Sequence, residues 1–179
     1  MDWLYSRPMT VPILGDRPGR FLVEGYADDA RKEDFHRAIA NFLSLDHRAL
    51  ARAEAHIFRY YQDIQAALQE MAAGQRGPRV LPGEGWYVTI DGPGAVWAHV
   101  QMGHEPMVSR REWGDKGVYV SLGCNCTWEP EHGLQIVFKD GLTVNKVGAF
   151  DGHLSNADAF DDESLEDVVY VTREQLRSL

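Results

Sequence analysis

Hydrophobic residues alternate with smaller or polar ones over a long stretch in the second half of the chain. Apolar side chains occupy every second position from Val118 to Trp128, and Cys124 and Cys126 continue that series. A period of two is typical of a β-strand with one face in the core. The pattern therefore predicts two buried thiols, since free cysteine packs as a small hydrophobe. Metal ligation and a redox pair are the alternatives.

Shorter apolar runs around this strand predict a β-meander over residues 85–148. The other expected strands are 86–90, 95–100, 105–111, 134–138 and 142–147. Their last pair poses a question of register. A two-residue loop at Asp140-Gly141 would set polar residues opposite Phe138 and Ile136. A three-residue loop, residues 139–141, pairs Phe138 with Leu142 and Ile136 with Val144, so the sequence predicts the longer loop.

The first 74 residues predict a hairpin followed by two helices. Residues 11–14 and 20–24 are the expected strands, joined by turn chemistry at 15–19. Asp28 or Asp29 is placed to cap the first helix, and Asp46 the second. An apolar stripe along the second helix recurs every seven residues, at Leu50, Ile57, Ile64 and Met71.

Two capping signals end the chain. Ser155 begins a predicted helical turn, and Thr172 begins a short C-terminal helix; residues 167–171 are a possible final strand. The fold class is therefore α+β: an N-terminal hairpin and a two-helix segment packed on a mainly antiparallel β-meander. We expect one domain over residues 1–179, with a Gly/Pro-rich loop at 75–84 between parts 1–74 and 85–179.

Composition narrows the class of protein. Lys and Arg number 18 against 27 acidic residues, a net charge of -9, so a nucleic-acid binder is not expected. No apolar run reaches the roughly 20 residues of a membrane span, and the first residues lack a signal-peptide layout. We therefore expect a cytosolic protein with no membrane association. Acidic residues cluster at Asp158, Asp161, Asp162, Glu163, Glu166 and Asp167, either as a solvated loop or as a face for a basic partner.

Candidate chemistry lies in two turns. Trp128, Glu129, Glu131 and His132 follow the long strand, and Asp151 and His153 follow the last hairpin. Because both turns leave the open end of one hairpin, we expect them to meet. Carboxylate and imidazole groups together suit acid–base or metal chemistry, although each turn also has a purely structural interpretation. No nucleophile elbow or phosphate loop occurs, and we assign no catalytic residue, metal or cofactor.

The segment Cys-Thr-Trp-Glu-Pro-Glu-His-Gly-Leu-Gln at 126–135, followed by Asp-Gly-His at 151–153, resembles an uncharacterised bacterial family with a Cys-x-Trp-Glu-x-Glu-His-Gly-Leu-Gln signature. The resemblance covers roughly residues 84–160. It implies no catalytic residues, and some similar α+β families serve as immunity proteins against toxins or as interaction modules.

Two functional hypotheses follow. The preferred one is a non-catalytic binding or interaction protein, with an immunity-like activity as one form of it, that meets a basic partner through the 158–167 segment or the loop of Trp113. An exposed Trp in a charged loop suits an interface anchor, while a Trp folded onto the sheet is equally compatible with the sequence. The alternative is a small-molecule or metal-dependent enzyme with a pocket at Glu129, Glu131, His132, Asp151 and His153, which requires His132 and His153 to face one cavity.

Overall fold

The computed structural model describes residues 3–74 and 87–178, and its main feature is a seven-stranded sheet. Its strands are β1 (Trp3–Tyr5), β4 (Leu22–Glu24), β5 (Val100–Met102), β6 (Met107–Arg110), β7 (Val118–Cys126), β8 (Leu134–Lys139) and β9 (Thr143–Gly148). The order is β1-β4-β6-β7-β8-β9, with β5 also pairing with β7. All pairs are antiparallel except β4 with β6. The expected α+β class with a mainly antiparallel sheet is confirmed.

The predicted N-terminal hairpin is only partly correct. β2 (Met9–Val11) pairs with β3 (Arg17–Gly19), a segment expected to be turn, in a separate two-stranded sheet. The chain from Pro12 to Leu14 is a 3-10 turn instead of a strand, because proline offers no N–H to a ladder and favours the first turn of a helix. The second expected strand shortens to β4, which joins the main sheet.

The two predicted helices are present as α1 (Lys32–Leu43) and α2 (Ala51–Gly74). Asp46 caps the 3-10 turn that leads into α2 by accepting from the Arg48 N–H, as expected. The first cap is wrong: α1 begins after Arg31, whose N–H donates to Asp29. The apolar stripe is buried at Leu50, in the 3-10 turn before α2, and at Ile57, but it ends early, because Met71 lies 62% exposed. None of the described helices combines the length and the hydrophobicity that a membrane span requires.

The meander differs from expectation before β5. Residues 87–90 form no strand, and the Trp86 end of that predicted strand lies outside the described residues, as does the Gly/Pro-rich loop. The segment Pro93–His99, in which a strand was expected, is a 3-10 helix with Trp97 donating to Glu54 of α2 at 2.7 Å. The expected strand at 105–111 is present as β6. No strand forms over 167–171, although Val147 of β9 donates to the carbonyl of Val169.

The β8–β9 hairpin has a three-residue loop, but one residue further along than predicted. Lys139 pairs with Thr143 and Phe138 with Val144, and a bulge between Val137 and Phe138 places Ile136 opposite Val147. The expected pairs, Phe138 with Leu142 and Ile136 with Val144, are therefore wrong. An extra residue in one strand restores the apolar face after a shift of register.

The sheet is covered on both faces at its centre. On one face, α1 and α2 pack over the apolar series of β7, with Phe42 against Phe138 and Trp128 between Tyr60 and Tyr61. On the other face a smaller cluster joins Tyr119, Val137 and Leu154. The residues just before α3 (Asn156–Phe160) therefore contribute to this second layer, whereas α4 (Arg173–Leu176) lies against α2, with Arg173 donating to Glu70. Ser155 and Thr172 cap these helices as predicted.

Candidate functional site

The first predicted turn, which follows β7, is organised by Glu129. Its carboxylate is almost wholly buried and accepts main-chain hydrogens from Glu131 and His132, at 3.2 and 2.8 Å. Gly133 closes the turn with φ +69° and an N–H bond to the Glu129 carbonyl. Short-range hydrogen bonds of this kind fix a turn. Glu129 therefore has a complete structural role.

The same turn gathers metal-ligating groups. Ligand atoms of Glu129, Glu131 and His132 all lie within 4.8 Å of one another, with the last two side chains exposed. The His132 Nδ1 lies 3.2 Å from Glu129 Oε2. This arrangement is compatible with a divalent cation, but the hydrogen bonds to Glu129 already hold the turn without one.

The second predicted turn is organised by Asp151. Its Oδ1 accepts from the Lys146 ammonium at 2.5 Å and from the His153 N–H at 2.9 Å. Lys146 is 2% exposed in its side chain and also donates to Gln135 at 3.2 Å. Burial lowers the pKa of Lys146, and the Asp151 carboxylate opposes that shift. Asp151 therefore serves first as the counter-charge of a buried lysine.

The two turns leave the same end of the β8–β9 hairpin, where Gln135 pairs with Gly148. Their side chains nevertheless line different cavities. His132 lines a depression beside Cys124 and Phe150, whereas His153 lines one beside Trp113. The cavities described here do not bring these two histidines together, as the enzyme hypothesis requires.

Trp128 and the two cysteines, which the sequence also singled out, face the core. Trp128 is wholly covered, and its Nε1–H has no hydrogen-bond partner among the described residues. Cys124 and Cys126 are free and buried, as the alternation predicts. Burial raises the pKa of each thiol to about 12. Because the thiolate is the reactive form, these cysteines are poorly suited to redox or nucleophilic chemistry.

The most prominent exposed feature is Trp113, which is 71% exposed. It stands on the loop between β6 and β7. The loop closes through an Arg111 N–H bond to the Gly117 carbonyl at 2.9 Å, and Gly117 N–H donates to Asp115 at 3.0 Å. Both bonds restrict the loop, so the indole is presented from a braced support. Trp113 does not fold back onto the sheet, which was the alternative interpretation of the sequence.

Arg111 forms that support. Its side chain is 3% exposed and makes paired hydrogen bonds to Asp158, at 2.7 and 2.8 Å, and to Glu166, at 2.5 and 2.7 Å. Bidentate arginine–carboxylate pairs are among the stronger and more directional polar contacts in proteins. The Arg111 hydrogen bonds hold the pKa of Glu166 below its ordinary value. The guanidinium thus ties the Trp113 loop to the C-terminal segment.

Gly114 completes the packing against Arg111. Its φ is +63°, and a Cβ there would lie 2.7 Å from the Arg111 guanidinium carbon. Glycine is therefore required for two reasons: the left-handed backbone and the close approach. The position of Trp113 therefore depends on Arg111 and Gly114.

Two depressions flank Trp113, with volumes of about 570 and 660 Å³. Their lining includes two guanidinium groups, those of Arg110 and Arg111, against nine carboxylates. Both arginines are matched by carboxylates, Arg110 by Asp29 and Asp34. We call Trp113 with these nine acidic residues the Trp113 face: Glu24, Asp28, Asp29, Glu112, Asp158, Asp161, Asp162, Glu163 and Glu166.

Within residues 3–74 and 87–178, several carboxylates of the Trp113 face have no cationic partner. Among the described residues, no ion pair involves Glu24, Asp28, Glu112, Asp161 or Glu163. The surface around the indole is therefore negative. A cluster of like charges costs folding energy unless ions or a partner neutralise it.

The sequence drew attention to Trp113, with its exposure left open, and to the acidic segment, but did not connect the two. Sequence reasoning also missed Arg111 and Lys146 as buried charges. The basic pair Arg110-Arg111 close to Trp113 was one signal in the sequence that could have pointed to this support. The long separation of Arg111 from Asp158 and Glu166, 47 and 55 residues, hides the connection from local patterns.

The fold and surface together define an α+β chain with an acidic face built around an exposed tryptophan. The chain belongs to the family described as a domain of unknown function (DUF6985), whose model matches residues 1–154. Asp158 and Glu166 come after the matched range. No curated protein and no solved structure matches the chain.

Proposed function

We propose that the protein is a non-catalytic interaction protein that binds a basic protein partner through the Trp113 face. The observation that carries this proposal is Trp113, 71% exposed on a braced loop, among carboxylates of which several form no ion pair within the described residues. Tryptophan and arginine are the residues most enriched at the energetic centres of interfaces. A partner with exposed Arg or Lys side chains would match both the indole and the carboxylates of this surface.

The charge pattern supports a cationic occupant. Nine carboxylates line the two depressions, and the two guanidinium groups among them already have acidic partners. Electrostatic complementarity of this kind raises association rates and selects partners of opposite charge. Cationic side chains also stack favourably on an indole face.

Arg111 holds the Trp113 loop in place, which supports a binding role for the loop over that of a passive solvated connection. A side chain that is already held in position loses less conformational entropy when a partner covers it. Buried hydrogen bonds from Arg111 fix both the loop and the 158–166 acidic segment. Cytoplasmic neutralisation of a basic toxin, the activity of an immunity protein, is one role that such a surface suits.

A photo-crosslinking amino acid at exposed Glu112 tests the proposal directly. In a lysate of the source cells, we expect it to capture a protein with a basic surface at about 50 mM salt and to lose it at about 500 mM, because screening weakens charge pairing. Gln62, exposed on α2, is the control position. Equal capture from both positions, or capture unaffected by salt, would overturn the proposal.

A further inference from the structure

Another cavity lies on a different part of the molecule, at the outer edge of β9. Its volume is about 310 Å³, at the lower end of small-ligand pockets. Three elements enclose it: α2, the end of β9 with its following turn, and the C-terminal segment. Its apolar wall includes Ile64 and Ala67 of α2, Phe160 of α3 and Leu176 of α4.

The polar groups of this cavity are mostly paired with one another. Asp63 accepts from the Tyr170 hydroxyl at 3.0 Å and from the Arg173 N–H at 2.9 Å. Lys146 and Asp151, which both line the cavity, form the ion pair described above. Two cationic and two acidic residues line the wall, so it carries no net charge. An uncharged ligand is therefore the best match.

Lys146 offers the polar contact for such a ligand. An ammonium group has three N–H donors. Among the described residues, hydrogen bonds account for two of them, to Gln135 and Asp151. A buried donor gains free energy when an acceptor reaches it. The third donor thus suits a carbonyl or hydroxyl oxygen.

We infer that this cavity binds a small, uncharged, largely apolar molecule that carries a carbonyl or hydroxyl oxygen. The inference goes beyond the proposed interaction with a basic partner and does not depend on it. The ligand's apolar body would lie between α2 and the C-terminal helices, and its oxygen would face Lys146. The cavity is too small for a helix or strand of another protein, whose width with side chains is about 10 Å.

Two probes of similar shape test the inference: acetophenone, which has a carbonyl, and isopropylbenzene, which does not. Titrations of the full chain are followed by amide NMR. We expect saturable shifts of Val147, Gly148 and Ala149 with acetophenone, at a Kd of about 1 mM or tighter. Isopropylbenzene should bind roughly three- to tenfold more weakly, the value of one hydrogen bond.

Filling the cavity provides the matched variant. Ala67→Trp should abolish these shifts, while Gln62→Trp, on an exposed position of the same helix, should leave them unchanged. If Ala67→Trp does not fold, Ala67→Leu replaces it and should weaken binding. Absence of saturable shifts in the native chain, or equal binding by the filled variant, would overturn the inference.

Discussion

Replacing Arg111 with Met removes the cation that connects the Trp113 loop to the C-terminal segment. The variant keeps an apolar stem of similar length but leaves Asp158 and Glu166 facing each other without a counter-charge. Removing one member of a buried ion pair typically costs about 3–5 kcal/mol. Glu166 is 38% exposed, so water relieves part of that penalty. We therefore expect a loss near the lower end, about 3 kcal/mol.

Urea unfolding followed by far-UV circular dichroism measures this loss. For a chain of this length, about 3 kcal/mol corresponds to a fall in Tm of roughly 6–12 °C. Arg52→Met is the control, because Arg52 is exposed on α2 and forms no ion pair among the described residues. It should change stability by no more than about 0.5 kcal/mol.

A triple variant separates charge from packing. Adding Asp158→Asn and Glu166→Gln to Arg111→Met removes the unpaired carboxylates, so stability should partly recover. If Arg111→Met is no less stable than Arg52→Met, the guanidinium does not hold the C-terminal segment. If the triple variant is no more stable than the single one, the loss comes from packing and the electrostatic explanation is wrong.

Four other outcomes follow from the structure. Gly114→Ala should cost about 1–2 kcal/mol or more in urea unfolding, because its φ is positive and the new Cβ meets a guanidinium; a neutral change would contradict the packing. Cys124 and Cys126 should react with a thiol reagent only after unfolding, since burial raises the pKa of both to about 12; rapid native reaction would contradict their burial. Trp128→Phe should cost far less than the roughly 3–5 kcal/mol of Trp128→Ala, because it also removes an unpaired buried N–H; equal losses in thermal melts would refute this. Acid should loosen the C-terminal segment: the pKa of Glu166 is held below its ordinary 4.5, so its contribution is complete above that pH and is lost as pH falls through the lowered pKa. Hydrogen exchange over residues 156–178 should detect this loosening, and unchanged protection at low pH would count against it.

Features encoded by nearby residues were predictable from the sequence. The alternation in β7 located its buried face, and Ser155 and Thr172 correctly marked helix starts. The hairpin loop could not be placed to the residue, because a bulge in β9 compensates for a shifted register. Binary patterns alone do not reveal such compensation. The 3-10 helix at Pro93–His99 has apolar residues that imitate a strand.

The candidate site was less predictable because its contacts are long-range. Glu129 and Asp151 were singled out for chemistry, yet each stabilises a turn through local hydrogen bonds. Arg111, in contrast, looked like an ordinary charge in a polar loop. Its burial depends on carboxylates that follow it by some fifty residues, and only the folded chain brings them together.

Binding of a basic partner by the Trp113 face can be measured by isothermal titration of the captured partner with native protein and Trp113→Ala, at low and high salt. Trp113→Ala should weaken binding by about tenfold or more, and salt should weaken the native complex. Met71→Ala, at another exposed apolar position, should have no effect. An affinity unchanged by both Trp113→Ala and salt would contradict the claim.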